Sequence, residues 1–271
     1  MEHFKRIASA VVILPPLLAF LYLASHSLFL VFVLLLVMLS LREYVQMLLH
    51  AQQPVYPSAT YAVGILLTCV AFLGGEHYMS LGVSLGLLTL LVTVLLSPQY
   101  GANRFPALIH SLFGVFFIGW NLSYLLLLHS LPTGKWYIFF LCVVVWVGDS
   151  TAMYVGQGMG HHKLAPAISP GKTWEGAVGC LVGGVVTAGL AAHFLLPQLA
   201  FWQHLLLGLV ISVAAQASDL SESLIKRYAG VKDSGELIPG HGGILDRIDS
   251  LLFAAPLLLY ALQLFVPTPT P

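Results

Sequence analysis

The sequence predicts an all-α, polytopic integral membrane protein with about nine transmembrane helices, and three observations lead there. Hydrophobic residues make up 58% of the 271 positions, charged residues only 8%, and mean hydropathy is +0.90. So little polar surface cannot cover a soluble domain of this size. The apolar residues fall into runs near 7–24, 27–41, 57–74, 79–97, 106–129, 136–156, 175–196, 201–221 and 251–266. Each approaches the roughly 20 residues that a helix needs to cross a hydrocarbon core about 30 Å thick. None shows the alternation of a barrel strand, which leaves helices as the spanning element.

Taken in order, the first run opens on Lys5 and Arg6 and contains Pro15-Pro16. More spans follow at once, so it reads as an uncleaved first helix rather than a signal peptide. With the N-terminus inside and nine spans, the inner segments hold Lys5, Arg6, Arg42, Arg104, Lys163, Lys172, Lys226, Arg227, Lys232 and Arg247, against Lys135 alone outside. That bias sets a cytoplasmic N-terminus. Residues 1–135 carry few charges beyond Arg42-Glu43 and read as a transmembrane scaffold. Residues 136–271 read as the catalytic region, with cytoplasmic loops 157–175 and 227–245; positions 136–250 hold eight of the eleven acids. Cys69, Cys142 and Cys180 lie inside apolar runs without metal-like spacing and read as small core residues. Gly179-x-x-x-Gly183 suits close helix packing, within the chain or between copies. Net charge is zero, so no attraction to nucleic acid is implied.

Two polar stretches interrupt the runs. In 149–176, Gly171-Lys172-Thr173 is no P-loop, because position 166 is Pro166 and no soluble strand precedes it. A Ser169-Pro170-Gly171-Lys172-Thr173 turn opening a helix serves either as a phosphate clamp or as a cytoplasmic cap. The second stretch, 219–249, packs six acids and four bases between two apolar runs. Ionisable groups at membrane spans are costly, which marks a functional site. On one helix, Asp219, Glu222, Ser223 and Lys226 share a face at i, i+3, i+4 and i+7. Asp246 and Asp249 are again three apart at the start of the next span. Asp219, Glu222, Asp246 and Asp249 offer hard oxygens for Mg²⁺, with room for a second cation. Lys226, Arg227, Lys232 and Arg247 supply charge for phosphate, and the Gly240-His241-Gly242-Gly243 turn places backbone N–H groups at a positive helix end.

Ser223-x-x-Lys226-Arg227, then Lys232-Asp233, then Pro239-x-His241-Gly242-Gly243-x-x-Asp246-Arg247-x-Asp249 resembles, over 27 residues, the signature of phosphatidate cytidylyltransferases (CDP-diacylglycerol synthases). The segment 169–176 resembles a second region of that family. The resemblance implies Mg²⁺-dependent integral membrane enzymes, commonly homodimers. They take CTP and phosphatidic acid, release pyrophosphate and leave CDP-diacylglycerol in the membrane lipids.

On that footing Asp219 and Asp246 are the expected leading metal ligands, with Glu222 and Asp249 beside them. Lys226 and Arg247 are expected to neutralise phosphate charge, Lys172 and Thr173 to hold a further phosphate, and His241 to donate to the leaving pyrophosphate. Ser169, Ser223, Arg227, Lys232, Gly242 and Gly243 complete the expected substrate contacts. Two other classes stand beside this reading. One is a CTP-dependent polyprenol or lipid kinase, which would want a general base for an alcohol acceptor. The other is an ion-coupled transporter, against which the acids gather at one membrane edge rather than along a path through the midplane.

Overall fold

The structure is a computed structural model that describes residues 15–237 and 242–265, apart from the side chain of Ala192. It is all-helical in its spans: α1 (15–23), α2 (His26–His50), α3 (Pro57–Gly74), α4 (Met79–Leu96), α5 (Arg104–Gly114), α6 (Asn121–Ser130), α7 (Gly134–Met159), α8 (Trp174–Leu195), α9 (Phe201–Tyr228) and α10 (Leu245–Phe265). A π-helical segment, Val115–Trp120, joins α5 to α6 and makes 101–130 one continuous helical run. Among the described residues, eight helices are long and apolar enough to cross a membrane, and they coincide with the second to ninth predicted runs. Much of the first run, with Lys5 and Arg6, lies outside the described residues. The protein is an all-α polytopic integral membrane protein.

Two compact units divide the chain: residues 1–130 with 226–248, and residues 131–225 with 249–271. The loop and helix ends at 226–248 therefore pack with the N-terminal helices, whereas the sequence reading grouped them with the C-terminal region. In the first unit α3 packs against α2, α4, α6 and the π segment. Its core holds Tyr56, Val63, Leu67, Leu90, Leu108 and Val115. The run 101–130 is the most buried span of this unit. Its approach to α3 is set by glycine: a Cβ on Gly119 would lie 3.2 Å from Gly64 Cα. Long-range hydrogen bonds satisfy some of the polar groups in this unit, as burial in lipid demands. Tyr44 Oη donates to His110 O at 2.8 Å, and Tyr228 Oη to Gln53 Oε1 at 2.9 Å. On α4, Leu95 (75% exposed) and its neighbours face outward, as a lipid-facing surface requires.

In the second unit α8 packs along α7 and also meets α9, each contact made by small residues. A Cβ on Gly179 would meet Val155, one on Gly183 would meet Thr151, and one on Gly208 would lie 3.0 Å from Gly184 O. The Gly179/Gly183 face is thus occupied by α7 of the same chain. Between α7 and α8 the chain makes a small antiparallel hairpin, β1 (Lys163–Ala165) with β2 (Ser169–Thr173), pairing Lys163 with Thr173 and Ala165 with Ser169. The Ser-Pro-Gly-Lys-Thr segment is therefore a strand and not the turn expected from its composition, because β1 supplies a ladder partner that no local signal reveals.

Candidate active site

The first unit carries a carboxylate-centred cluster built on three segments. α9 ends in a Schellman motif, with Val231 N donating to Lys226 O (2.9 Å) and Gly230 N to Arg227 O (3.1 Å). Gly230 takes the left-handed conformation (φ +70) that this cap needs. The motif halts the helix just beyond Lys226, whose Nζ is 2.7 Å from Asp246 Oδ1. Asp246, in the first turn of α10, also accepts through Oδ2 from Ser234 N (2.9 Å), Ser234 Oγ (2.9 Å) and Gly243 N (2.8 Å). Gly242 at φ +77 turns the chain into this arrangement. Glu43, buried in α2 at 3% exposure, accepts from Ser234 Oγ (2.9 Å), Ile244 N (2.8 Å) and Leu245 N (2.9 Å).

This geometry changes two expectations. Of the 240–243 turn offered to a phosphate, the Gly243 N–H is taken by Asp246, and the following N–H groups of Ile244 and Leu245 are taken by Glu43. Asp246 itself accepts four donor contacts, so a metal there would have to displace Lys226 or the turn. Arg227 Nη1 donates to Val231 O at 3.0 Å and so braces the helix end. Lys232 and Arg247 are exposed. His241 lies outside the described residues, as do Pro239 and Gly240 of the same motif.

The second unit carries an acid cluster. Lys172 Nζ, on β2, lies 2.5 Å from Asp219 of α9, with the two side chains 26% and 29% exposed. Asp249 of α10 is within electrostatic reach of Asp219, Glu222 and Asp149. Asp149, on α7, also feels Lys172 and bonds Ser250. Glu222 is fully buried and Ser223 nearly so. Ser218 Oγ donates to Asp249 O, fastening α9 to α10. Thr173 caps α8, its Oγ1 accepting from Gly176 N at 3.1 Å. Ser169 is half-buried at the far end of β2.

The structure thus brings Asp219, Glu222 and Asp249 together, as their spacing predicts, and joins Lys226 to Asp246. Sequence reasoning missed Glu43 and left Asp149 without a role. A charged residue inside an apolar run was the available signal for Asp149, whereas Glu43 falls just past the 27–41 run. Among the described residues no three of His, Cys, Asp or Glu already form a metal cage. The donor chemistry of the second unit nevertheless fits Mg²⁺. Four carboxylates lie within electrostatic reach of one another, two of them also interacting with Lys172, with no soft ligand among the acids, and Mg²⁺ is commonly held by one or two carboxylates plus waters and substrate phosphates.

Curated relatives carry the same kind of sequence. The chain is 45% identical over 150 residues to the phosphatidate cytidylyltransferase of Bacillus subtilis, covering 55% of this chain and 56% of that protein. It is 42% identical over 177 residues to that of Brucella abortus, covering 65% and 63%. To the Haemophilus influenzae protein of that name it is 43% identical over 136 residues, covering 49% and 47%. The matches thus span about half to under two thirds of these relatives' length. The sequence model of the cytidylyltransferase family matches residues 4–265. Since that match takes in α2 to α10 and both clusters, the chain belongs to the cytidylyltransferase family.

Proposed function

We propose that this protein transfers a cytidylyl group from CTP to phosphatidic acid, giving CDP-diacylglycerol and pyrophosphate for phospholipid synthesis. The observation that carries the reading is the acid cluster of the second unit, Asp149, Asp219, Glu222 and Asp249 with Lys172 paired to Asp219, in a chain of this family. A phosphate oxygen of phosphatidate forms the new bond to the α-phosphorus of CTP, and the bond from that phosphorus to the β-phosphate oxygen breaks. The nucleophile is already an anion, so no strong general base is needed; the work is positioning and neutralising charge. Asp219, with Glu222, Asp249 and Asp149 about it, is the residue assigned to Mg²⁺ and to any second cation. Bound there, Mg²⁺ would neutralise charge on the nucleotide phosphates. Lys172 is assigned to nucleotide phosphate. In the first unit, Asp246 orients Lys226, whose charge suits a phosphate oxygen. Arg247 and Lys232 are exposed cations suited to a phosphate oxygen.

The positive-inside bias supports a cytoplasmic N-terminus, with the hairpin and the 229–244 loop on that side of a bacterial inner membrane. In the homodimer that the family resemblance implies, faces other than Gly179/Gly183 would meet, since α7 already covers that one. Purified protein in detergent–lipid micelles should release pyrophosphate only when CTP and phosphatidic acid are both present. Release with a prenol in place of phosphatidate, or with no lipid, would contradict the proposal.

A further inference from the structure

We propose that Glu43 is a positioning residue for the proposed transfer: from α2 it holds the turn before α10, and with it Asp246 and Lys226, in working register. The claim rests on the cytidylyl-transfer reading. It also rests on geometry within the first unit.

A carboxylate buried in an apolar span is expensive, and helix capping does not require one, since Ser, Thr, Asp or Asn at the cap position serves as well. The residue before α10 is Ile244, which has no acceptor of its own. Its N–H and that of Leu245 are satisfied by Glu43, some 200 positions away in the chain. The turn is shaped around this carboxylate: a Cβ on Gly243 would lie 2.3 Å from Glu43 Oε2, and one on Gly235 would lie 2.9 Å from Oε1. Ser234 Oγ is 2.9 Å from Glu43 and 2.9 Å from Asp246, so one hydroxyl proton serves both carboxylates. Glu43 therefore divides the donors of the turn with Asp246. Without it, that proton turns wholly to Asp246, two buried N–H groups lose their acceptor, and the partner of Lys226 shifts.

The test substitutes Glu43→Gln, nearly isosteric but placing an amide NH₂ against donors, with Arg42→Gln, its exposed neighbour, as control. Two readouts are taken on the full-length protein in micelles: amide hydrogen exchange, and KM for CTP and for phosphatidate. Glu43→Gln should speed exchange at Ile244 and Leu245 while α2 and α9 stay protected. KM for CTP should rise by roughly tenfold, with KM for phosphatidate unchanged. A merely structural loss lowers the active fraction and moves neither KM. Unchanged exchange at 244–245, faster exchange throughout α2, or a local opening with wild-type KM for CTP would each overturn the proposal. A wild-type protein that transfers nothing would sink the transfer reading and this one with it. Wild-type activity with any of the preceding results sinks the positioning claim alone.

Discussion

Asp246→Asn separates what the Lys226–Asp246 pair does for stability from what it does for turnover. Oδ2 of Asp246 serves three donors and Oδ1 serves Lys226 at 2.7 Å. An asparagine keeps its one oxygen where the three donors converge, which turns its NH₂ towards the lysine ammonium. Both side chains are well buried (Lys226 12% and Asp246 8% exposed), so solvent screens the loss little. Breaking such a pair from one side costs about 3–5 kcal/mol. At about 2 °C per kcal/mol for a chain of this length, the unfolding midpoint in detergent should fall by about 6–10 °C. Replacing both partners, Asp246→Asn with Lys226→Met, removes the uncompensated charge and should recover most of that loss. Turnover should drop by roughly 100-fold or more in both variants, because the oriented lysine is gone in each. Thermal unfolding followed by intrinsic fluorescence, beside pyrophosphate release, reads the two quantities. A single variant as stable as wild type, or a double variant that regains turnover, would refute the reasoning.

The Lys172–Asp219 pair should behave in the opposite way. It is about a quarter exposed on each side, so Lys172→Ala or Asp219→Asn should cost stability no more than about 1 kcal/mol, while initial rates fall by roughly 100-fold. Gly230→Ala should lower stability by about 1 kcal/mol through its left-handed cap and leave KM for both substrates unchanged, checked by the same unfolding and rate assays. Chelation by EDTA should abolish turnover and added Mg²⁺ should restore it, whereas persistence in chelator would remove the metal assignment to Asp219 and its neighbours. Cysteines placed at Lys163 and Lys135 in a Cys-free background should label from opposite sides of sealed vesicles; labelling of both from one side would overturn the nine-span orientation.

The spans were legible because hydropathy is a one-dimensional signal, and α2 to α10 with the 101–130 run sit where the apolar runs lie. The face formed by Asp219 and Glu222, with Asp249 approaching from α10, was legible from 3.6-residue periodicity and a repeated i, i+3 spacing. Long-range pairings were not. Glu43 meets Ser234, Ile244 and Leu245 across some 190–200 residues, and nothing local to α2 announces those partners. The same holds for the β1–β2 pairing, hidden in a Gly- and Pro-rich sequence, and for Asp149, which reads as a lone acid at the end of a run until Asp219 and Asp249 stand near it. The N-terminus of α10 shows the limit of motif reasoning. Glycines before a helix suggest an anion site, yet here the protein's own carboxylates occupy the N–H groups of Gly243 and of the two residues after it.

The central claim is that the α-phosphorus of CTP ends in the lipid. It is tested most directly with CTP labelled at either the α or the γ phosphate, given to the purified protein with Mg²⁺ and phosphatidic acid. The account predicts α-label in the lipid product and γ-label in free pyrophosphate. γ-Label in a lipid, or no label in any lipid, would contradict it.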